Sequence, residues 1–228
     1  MKKKIVVLTG AGISEESGIK TFRDSNGLWE GHDVMEVASP EGFAKNPALV
    51  LEFYNQRRKQ LKEVQPNLAH RLLSELETDY QVVIITQNVD DLHERAGSSH
   101  IIHLHGELLK SRAIDNENVI FDCFGDIKVG SLSPSGIQLR PHIVWFGEAV
   151  SLIDKAIEEI ETADVVLIIG TSLQVYPAAG LMHYAKAHVP IYYVDPNPQI
   201  QSHKNLTIIA EKASKGVQKA LKMIKTIC

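Results

Sequence analysis

The sequence predicts an α/β protein, a Rossmann-like doubly wound parallel sheet with a small inserted domain. Short β-branched runs alternate with helical segments along the chain, which is the pattern of strands and crossover helices in a parallel sheet. Polar or glycine-containing turns follow these runs, as they do where ligands bind at the carboxyl ends of parallel strands. A stretch rich in turn-forming residues, 110–138, interrupts the alternation and predicts the insert.

The first strand is expected at Ile5–Leu8, where a β-branched run leads into a glycine turn. Residues 18–32 lack periodicity and are rich in Gly, Asp, Ser and Asn, so a long loop is expected there. Two helices should follow, Pro47–Lys62 and Asn67–Leu76. The first of them has an asparagine in the cap position and a proline at its first turn.

The rest of the chain repeats the alternation of strand and helix. Buried strands are expected at Gln81–Thr86, Ile101–Leu104, Val165–Ile169 and Ile191–Val194. Helices are expected at Ser151–Glu161, Ala178–Ala187 and Ser214–Ile224, the last of them amphipathic. This order of elements is the order of a doubly wound sheet.

Composition and charge exclude several classes of function. The 228 residues, 44% hydrophobic and 23% charged, suffice for one large domain with a smaller insert. A net charge of −4, with both signs scattered, gives no basic surface, so direct nucleic-acid binding is disfavoured. No apolar run approaches the roughly 18 to 20 residues of a membrane span, so no membrane partner is expected. Only Cys123 and Cys228 are present, which excludes a disulfide framework and fits a cytoplasmic protein.

A glycine turn follows the first strand. The segment Gly10–Ser14 reads Gly-Ala-Gly-Ile-Ser, and glycines in this context let backbone N–H groups approach a pyrophosphate. The third glycine of the dehydrogenase fingerprint would fall at Glu15, so the turn alone fits either a nucleotide or a tight structural turn. Phe22 and Arg23, in the loop that follows, offer an aromatic face and a guanidinium to a ligand.

The second strand of the sheet ends in the segment Gln87–Asp90, Gln-Asn-Val-Asp. This is the edge at which ligands of open α/β sheets lie. The amide of Asn88 and the carboxylate of Asp90 can hold a ribose or a carboxamide. Either residue can equally cap the helix that begins near Asp91. The sequence alone leaves both roles open.

Two histidines close the third strand of the sheet. His105 is followed by glycine at the ligand edge, and histidine has a pKa suited to proton transfer near neutrality. A structural histidine is the alternative. His103 lies two residues earlier and therefore points to the opposite face of the strand, where a structural role is expected.

Two later strands also end in polar groups. Gly170-Thr171-Ser172 provides a second glycine turn with two hydroxyls, and the segment 195–197 offers the carboxylate of Asp195 and the amide of Asn197. Acidic residues at strand ends often bind ribose hydroxyls. One extended nucleotide accounts for all these clusters together, whereas independent helix caps do not.

Taken in order, these segments resemble the motif set of the sirtuins. The matching segments are Gly10–Ser14, Thr21–Arg23, Gln87–Asp90, His105–Leu108, Val144–Glu148 and Gly170–Ser172. The resemblance covers nearly the whole chain and implies NAD bound in a cleft between a large and a small domain. The expected large domain comprises 1–30, 80–105 and 145–228, and the small domain comprises 31–79 and 106–144.

The resemblance also implies roles for single residues. His105 would be the general base and Asn88 a second catalytic residue. The cofactor would be bound by Gly10, Ala11, Gly12, Ser14, Phe22, Arg23, Gln87, Asn88, Asp90, His105, Gly170, Thr171, Ser172, Asp195, Asn197 and Ala213. The backbone of 144–147 would pair with an acyl-lysine peptide by strand addition. The substrate-binding residues there would be Val144, Phe146, Gly147 and Glu148.

The activity implied by the resemblance is NAD-dependent deacylation of protein lysines. NAD would be consumed as a co-substrate, because the acyl oxygen attacks the ribose carbon as nicotinamide leaves. His105 would then deprotonate a ribose hydroxyl, which takes over the acyl group. The partners would be proteins or peptides with an acylated lysine, and the products nicotinamide, free lysine and O-acyl-ADP-ribose.

A narrower resemblance concerns Tyr54 and Arg57. They are three residues apart on a predicted helix and so share a face. In the sirtuin branch that removes succinyl and malonyl groups, a Tyr-x-x-Arg pair at this point binds the distal carboxylate. A guanidinium beside a phenol is a strong carboxylate receptor. The alternative is a solvated arginine in the basic run 57–59, with Tyr54 packed in the core.

The sequence departs from the family at the structural zinc. Most sirtuins hold a zinc ion with two pairs of cysteines in the small domain, whereas residues 111–138 contain one cysteine, Cys123, and no histidine. A tetrahedral zinc site needs four such ligands, so we expect no structural zinc. The insert would then be held as a small sheet by its own apolar residues, Ile114, Val119, Ile120, Phe121, Phe124, Ile127 and Val129. The segment 195–197 also departs from the asparagine-led version expected near the adenosine ribose, so Asp195 and Asn197 share that role.

Two other functions remain compatible with the sequence. A mono-ADP-ribosyltransferase would direct the same NAD cleavage to a protein nucleophile, and a non-catalytic NAD-binding module would only bind. The presence of Asn88, Asp90 and His105, together with Tyr54 and Arg57, favours deacylation. A hydride-transferring dehydrogenase is excluded, since no site for its second substrate accompanies the glycine turn.

Overall fold

A computed structural model describes residues 2–20, 28–202 and 205–227. The strands, in chain order, are β1 (Lys4–Thr9), β2 (Leu28–Trp29), β3 (His32–Asp33), β4 (Gln81–Thr86), β5 (Ile101–His103), β6 (Gly106–Ala113), β7 (Asn116–Asp122), β8 (Leu139–Ile143), β9 (Val165–Ile169), β10 (Ile191–Val194) and β11 (Leu206–Ile209). The α-helices are α1 (Val34–Val37), α2 (Pro40–Lys45), α3 (Pro47–Glu63), α4 (Leu68–Glu75), α5 (Leu92–Ala96), α6 (Ile153–Glu161) and α7 (Ala213–Ile227). Short 3₁₀ helices occur at Ala11–Ile13, Glu15–Ser17, Leu76–Thr78 and Ala178–Tyr184.

Six strands form one parallel sheet in the order β11-β10-β9-β1-β4-β5. The chain builds outward from β1 to β5 and then returns to add β9, β10 and β11 on the other side. The direction of building therefore changes between β1 and β9, and ligands of doubly wound sheets bind at such a switch point. The predicted fold class is confirmed.

Alternation along β1 explains why the sheet is covered on both faces. Ile5 and Val7 belong to a core cluster with α4 and α7, whereas Val6 and Leu8 belong to a second cluster with α6 and the 3₁₀ helix 178–184. Successive side chains of a strand point to opposite faces, so a fully apolar strand requires a layer on each side. The central strands are therefore held rigidly from both sides.

The insert forms a separate antiparallel sheet in the order β7-β6-β8, as the sequence predicted. It packs near α1, α2 and α3, whose buried residues form a cluster with Ile143 and Trp145. The expectation that the apolar residues of the insert hold it together is wrong for most of them. Only Ile127 is buried, while five others are between 44% and 61% exposed: Ile114, Val119, Ile120, Phe124 and Val129.

The cause is the position of these residues in the small sheet. β7 is an edge strand, and all of its residues except the half-buried Phe121 are exposed. A single antiparallel sheet can bury one face only where another layer covers it. Here α3 covers part of that face, at Leu51, Cys123 and Ile127.

Other elements differ from the sequence expectations. β11, α1 and α2 were not predicted, and the segment expected as a helix at Ala178–Ala187 is a 3₁₀ helix that ends at Tyr184. Helix α4 packs on the parallel sheet through Ala69 and Leu73, although the domain boundaries expected it in the small domain. Within the described ranges, no helix is long and apolar enough to cross a membrane.

Candidate active site

A cavity of about 940 Å³ opens along the carboxyl edge of the parallel sheet. Strand ends line one side, and α3 together with residues 143–150 lines the other. The structure brings most of the predicted site residues to its wall: Gly10, Ala11, Gly12, Ser14, Tyr54, Arg57, Gln87, Asn88, Asp90, His105, Val144, Phe146, Gly147, Glu148, Gly170, Thr171, Ser172 and Asn197. Two predicted residues, Phe22 and Arg23, lie outside the described residues.

Two glycine turns form the floor of the cavity at the switch point. The N–H of Gly12 donates to the carbonyl oxygen of Gly170 at 2.8 Å, and the N–H of Gly10 donates to that of Ile169 at 3.0 Å. A Cβ on Gly12 would lie 2.7 Å from the Cα of Gly170. The turns can therefore touch only because both are glycines. The result is a small, backbone-lined floor that suits a pyrophosphate.

Asn88 and Asp90 are joined through the hydroxyl of Ser14. Asn88 Nδ2 donates to Ser14 Oγ at 3.2 Å, and Ser14 Oγ donates to Asp90 Oδ2 at 2.9 Å. The other carboxylate oxygen accepts the N–H of Leu92, the first residue of α5, at 3.1 Å and forms an Asx turn. The cap position of α5 is occupied by Asp91, whose side chain makes no capping bond, so neither Asn88 nor Asp90 caps this helix. Burial raises the pKa of Asp90 to about 6, although hydrogen bonds from Leu92 and Ser14 oppose the shift.

The backbone between these two residues is also fixed. The N–H of Asn88 donates to Thr86 Oγ1 at 3.0 Å, and Gln87 Nε2 donates to Thr171 Oγ1 at 3.1 Å. The second bond links the end of β4 to the turn after β9, across the end of β1. Hydrogen bonds therefore connect the polar residues that follow β4 with those that follow β9, so these residues do not act as separate helix caps.

His105 stands at the inner end of the cavity. Its Nδ1 lies 3.1 Å from the carbonyl oxygen of Gln87. A carbonyl only accepts hydrogen bonds, so in the neutral ring Nδ1 carries the proton and Nε2 the lone pair. Burial lowers the pKa of His105, and the bond to Gln87 opposes this only in part. The side chain is thus suited to accept a proton at Nε2.

His103 has a different environment. Its Nε2 lies 2.6 Å from Glu94 Oε1, and Nδ1 lies 3.3 Å from the carbonyl oxygen of Asn88. Burial lowers the pKa of His103, but the hydrogen bond and the charge of Glu94 outweigh it, and the net shift is upward. His103 is outside the cavity wall, in accord with the structural role expected of it.

Of the two residues proposed near the adenosine ribose, the structure brings only Asn197 to the cavity. Asp195 is buried, and its Oδ1 accepts the N–H of Asn197 at 2.8 Å, so it shapes the turn that presents Asn197. Ala213, the first residue of α7, is buried in the core cluster beneath the sheet and is not part of the wall.

Tyr54 and Arg57 lie together on α3 and face the cavity. The phenol of Tyr54 is fully buried, and its oxygen accepts the indole N–H of Trp145 at 2.9 Å. The guanidinium of Arg57 lies over the ring of Phe53, with its Cζ 4.6 Å from the ring centre. Its Nε and Nη1 are buried and have no hydrogen-bond partner among the described residues. Such unsatisfied donors are costly unless a ligand pairs with them.

Residues 144–148, the segment expected to bind a peptide, are held by hydrogen bonds to other parts of the chain. The N–H of Val144 donates to the carbonyl oxygen of His105, and the N–H of Phe146 donates to that of Ala38, both at 2.9 Å. The carboxylate of Glu148 binds Arg140 through two oxygens, at 2.6 and 3.1 Å, and accepts the N–H of Trp145 at 2.8 Å. Glu148 was expected to contact substrate, and the structure uses its carboxylate to hold the segment in place.

Several residues of the wall were missed by the sequence analysis, and Trp145 and Glu30 are two with clear polar partners. Trp145 lies within the recognised segment 144–148, but its partner Tyr54 is 91 positions away, so no local pattern links them. Glu30 lines the cavity and bonds Lys20 at 3.1 Å. It falls in a stretch expected as a loop, where sequence carries little positional information. No group of three or more potential metal ligands occurs among the described residues.

Comparisons with known proteins agree with this geometry. Residues 10–177 match the model of the Sir2 family. The chain is 58% identical over 218 residues to an NAD-dependent protein deacylase of Helicobacter pylori, with 95% of each chain covered. It is 52% identical to a protein of the same name from Bacteroides thetaiotaomicron, over 97% of this chain and 98% of that one. A crystal structure of a Sir2 homologue in complex with NAD matches with a TM-score of 0.86 at 38% identity, covering 99% of this chain and 91% of the other.

Proposed function

The chain belongs to the Sir2 family of NAD-dependent protein deacylases, and on that premise we propose that it removes succinyl and malonyl groups, besides acetyl groups, from protein lysines. One observation carries the proposal. Arg57 and Tyr54 both line the cavity, and two buried N–H donors of Arg57, Nε and Nη1, have no partner among the described residues. A carboxylate at the end of an acyl chain would satisfy both donors, and a neutral acetyl group would satisfy neither.

The rest of the wall fits NAD. The glycine floor suits the pyrophosphate, while Thr171, Ser172 and Asn197 offer hydroxyl and amide groups to the riboses and phosphates. Asn88 and Asp90, which are held through Ser14, would contact the nicotinamide and its ribose. When bound, NAD supplies a ribose carbon that accepts the acyl oxygen as nicotinamide departs.

The chain's own residues supply positioning and proton transfer. His105 holds a free lone pair at Nε2 and would take the proton of a ribose hydroxyl, because its lowered pKa keeps it neutral at physiological pH. The peptide that carries the acyl-lysine would lie along 144–147, which lines the cavity together with His105. The N–H groups of Val144, Trp145 and Phe146 are bonded within the chain and would not take part in the pairing. Cleavage of NAD, transfer of the acyl group and selection of its distal charge would then occur in one cavity.

We also place the chain in the cytoplasm, where NAD and acylated proteins are both available and where a free buried thiol such as Cys123 stays reduced. The boundary between the domains follows the cores. The large domain would contain the parallel sheet with α4, and the small domain would contain α1, α2, α3 and the antiparallel sheet.

The proposal is tested by following nicotinamide release with acetyl-, succinyl- and malonyl-lysine peptides. We expect Arg57→Met to lower kcat/KM for the succinyl peptide by about tenfold or more, since a hydrogen-bonded charge pair contributes roughly 1.5 to 3 kcal/mol. The acetyl peptide should change by less than about twofold. Lys59→Met is the matched control, because Lys59 lies on the same helix, is exposed and pairs with Asp126. It should leave both peptides unaffected.

Each outcome has a clear reading. If Arg57→Met lowers acetyl and succinyl turnover alike, the preference for acidic acyl groups is wrong, while the family activity stands. Activity that survives His105→Ala would remove His105 from the role of base. Mass spectrometry of the reaction separates deacylation from its alternative: mono-ADP-ribosyl transfer would add mass to a protein instead of releasing the acyl group from lysine.

A further inference from the structure

Trp145 and Tyr54 share a buried hydrogen bond at the acyl end of the cavity. The indole Nε1 of Trp145 donates to the phenol oxygen of Tyr54 at 2.9 Å, and both side chains are at most 2% exposed. An indole nitrogen can only donate, so the direction of this bond is certain. Tyr54 therefore accepts here and keeps its own proton for another partner.

No second partner of the hydroxyl is found in the part of the chain that the structure describes. Among the described residues, no acceptor lies within hydrogen-bond distance of the Tyr54 hydroxyl proton. Burial raises the pKa of Tyr54, the bond from Trp145 opposes this, and the phenol remains protonated at neutral pH. Tyr54 is among the residues that line the cavity although its side chain is 0% exposed, so the O–H donor that remains can serve only a ligand that packs directly against the phenol.

Trp145 is itself held rigidly. The guanidinium of Arg140 lies 3.3 Å from the centre of the indole ring, and Arg140 is bound in turn by both carboxylate oxygens of Glu148. Phe43 packs on the same ring with centroids 5.3 Å apart. A cation over an indole face draws electron density from the ring and makes its N–H a stronger donor. A phenol that accepts such a bond becomes a better donor through its own O–H.

We propose that Trp145 is a positioning residue for acyl selectivity, which orients the hydroxyl proton of Tyr54 toward the distal carboxylate of an acidic acyl-lysine. The inference rests on the proposed preference for acidic acyl groups. It adds that the phenol of the Tyr54–Arg57 pair is held by the indole of Trp145, which leaves the hydroxyl proton of Tyr54 for the carboxylate.

The first test is kinetic. Trp145→Phe removes the N–H but keeps an aromatic ring, and it should raise KM for a succinyl-lysine peptide about fivefold to tenfold with little change in kcat. KM for the acetyl peptide should stay within about twofold. In a Tyr54→Phe background, which lacks the hydroxyl, Trp145→Phe should have no further selective effect. Phe43→Leu is the packing control: it removes a ring contact with Trp145 and should not change the succinyl-to-acetyl ratio.

The second test needs no tryptophan variant. The chain has two tryptophans, so an ¹⁵N–¹H spectrum shows two indole signals that Trp29→Phe assigns. Tyr54→Phe should shift the Trp145 indole proton upfield, and addition of succinyl peptide with ADP-ribose to the wild type should move it more than acetyl peptide does. A signal that is insensitive to Tyr54→Phe would overturn the inference even if Trp145→Phe does not fold.

The two proposals can fail separately. A selective loss of succinyl turnover in Arg57→Met without one in Trp145→Phe would overturn the role of Trp145 and leave the acyl preference intact. Equal losses for both peptides in Trp145→Phe would also overturn it, since this pattern marks a structural role. No selective effect of Arg57→Met would refute the acyl preference itself.

Discussion

His105 has the surroundings that a base needs at a slightly acidic or neutral pH. Its ring is partly buried, and the carbonyl of Gln87, the residue after β4, fixes the proton on Nδ1. Burial disfavours the imidazolium, so the neutral form persists to lower pH than for a free histidine. The side chain is therefore neutral, and able to accept a proton, over the whole physiological pH range.

We expect the acid limb of the kcat/KM profile to have its midpoint below 6.5, the ordinary pKa of histidine. The reason is that kcat/KM reports ionisations of the free enzyme, in which His105 must be neutral to act. Deacylation of an acetyl peptide measured between pH 4.5 and 9 checks this. Because Asp90 has a pKa of about 6, the same profile is needed for Asp90→Asn. If the acid limb disappears in Asp90→Asn, or if its midpoint lies above 6.5, the limb reports the ionisation of a group other than His105.

Asp90 predicts a measurable effect on stability. Its folded-state pKa, about 6, lies above the ordinary value of 3.8. Between these values the folded chain holds a proton that the unfolded chain has lost, so this group destabilises the fold increasingly as pH rises, and fully above 6. The shift corresponds to about 3 kcal/mol, because one pKa unit equals roughly 1.4 kcal/mol.

Asp90→Asn should therefore unfold at a higher denaturant concentration than wild type at pH 8. The advantage, about 1 to 3 kcal/mol, should shrink as pH falls toward 4. Urea unfolding at pH 8 and at pH 4.5 measures it. Ser14→Ala, which removes one bond to Asp90 but leaves the charge, should give no such gain. An equal difference between Asp90→Asn and wild type at both pH values would show that the carboxylate's charge is not the cause.

At the scale of residues, the sequence predicted which side chains meet at the cavity where those side chains follow a strand end. His105, Asn88, Asp90 and Thr171 follow strands directly, and parallel strands bring such positions to one edge. The sequence could not predict the bond between Tyr54 and Trp145, because it joins two elements whose approach depends on the packing of the small domain. Nor could it show that the carboxylate of Glu148 is consumed by Arg140.

Among the elements, α3 connects the cavity to the insert. Tyr54 and Arg57 face the cavity, whereas Asn55 and Arg58 face the insert, each pair three residues apart and so on one side of the helix. Asn55 bonds both backbone groups of Ile127 at 2.9 Å and accepts from Arg58 at 2.8 Å. Arg58 is buried and donates to the carbonyl oxygens of Leu108 and Gly125. The sequence left open that the basic run 57–59 is solvated. In the structure, Arg58 of this run is buried, and together with Asn55 it forms a clamp on the backbone of the insert.

We expect Asn55→Ala to destabilise the chain by about 2 to 4 kcal/mol. The substitution leaves the N–H and the carbonyl of Ile127 buried without partners, and each unsatisfied group costs roughly 1 to 3 kcal/mol. At about 2 to 4 °C per kcal/mol for a chain of this size, the melting temperature should fall by about 4 to 16 °C. Gln56→Ala is the control, because Gln56 is exposed on the same helix and bonds only Glu52. Equal shifts in the two variants would show that the clamp contributes nothing.

Prediction of the elements succeeded for β1, β4, β9 and α3, whose patterns are strong and local. It was wrong about how the insert is held, because the apolar composition of β7 does not reveal whether a second layer covers it. The buried bonds of Asn55 and Arg58 reach 50 to 72 positions along the chain, and no sequence pattern reports such contacts. The sequence also did not reveal that α4 packs on the parallel sheet, because an apolar helix face can pack on the core of either domain.

For the whole molecule, the cavity depends on holding the small domain against the sheet. The sheet side is fixed by two apolar layers, but the insert side has one exposed edge strand and a small cluster around Cys123. In most sirtuins a zinc ion stabilises this insert. Here Asn55 and Arg58 hold the loop 125–127 by its backbone, at the base of the antiparallel sheet. Tyr54 and Arg57 lie on the same helix, α3, so their positions in the cavity depend on the contacts that hold this helix.

This arrangement predicts that the enzyme does not need a metal. Residues 111–138 contain Cys123 and no histidine, too few ligands for a tetrahedral zinc ion. Dialysis against EDTA should therefore change neither the melting temperature nor NAD-dependent turnover, and metal analysis should find far less than one zinc per chain. Asn55→Ala should lower the melting temperature equally with and without added zinc, because no ion substitutes for the lost bonds. One tightly bound zinc per chain, with a lower melting temperature after EDTA, would show that the metal and not the α3 clamp holds the insert.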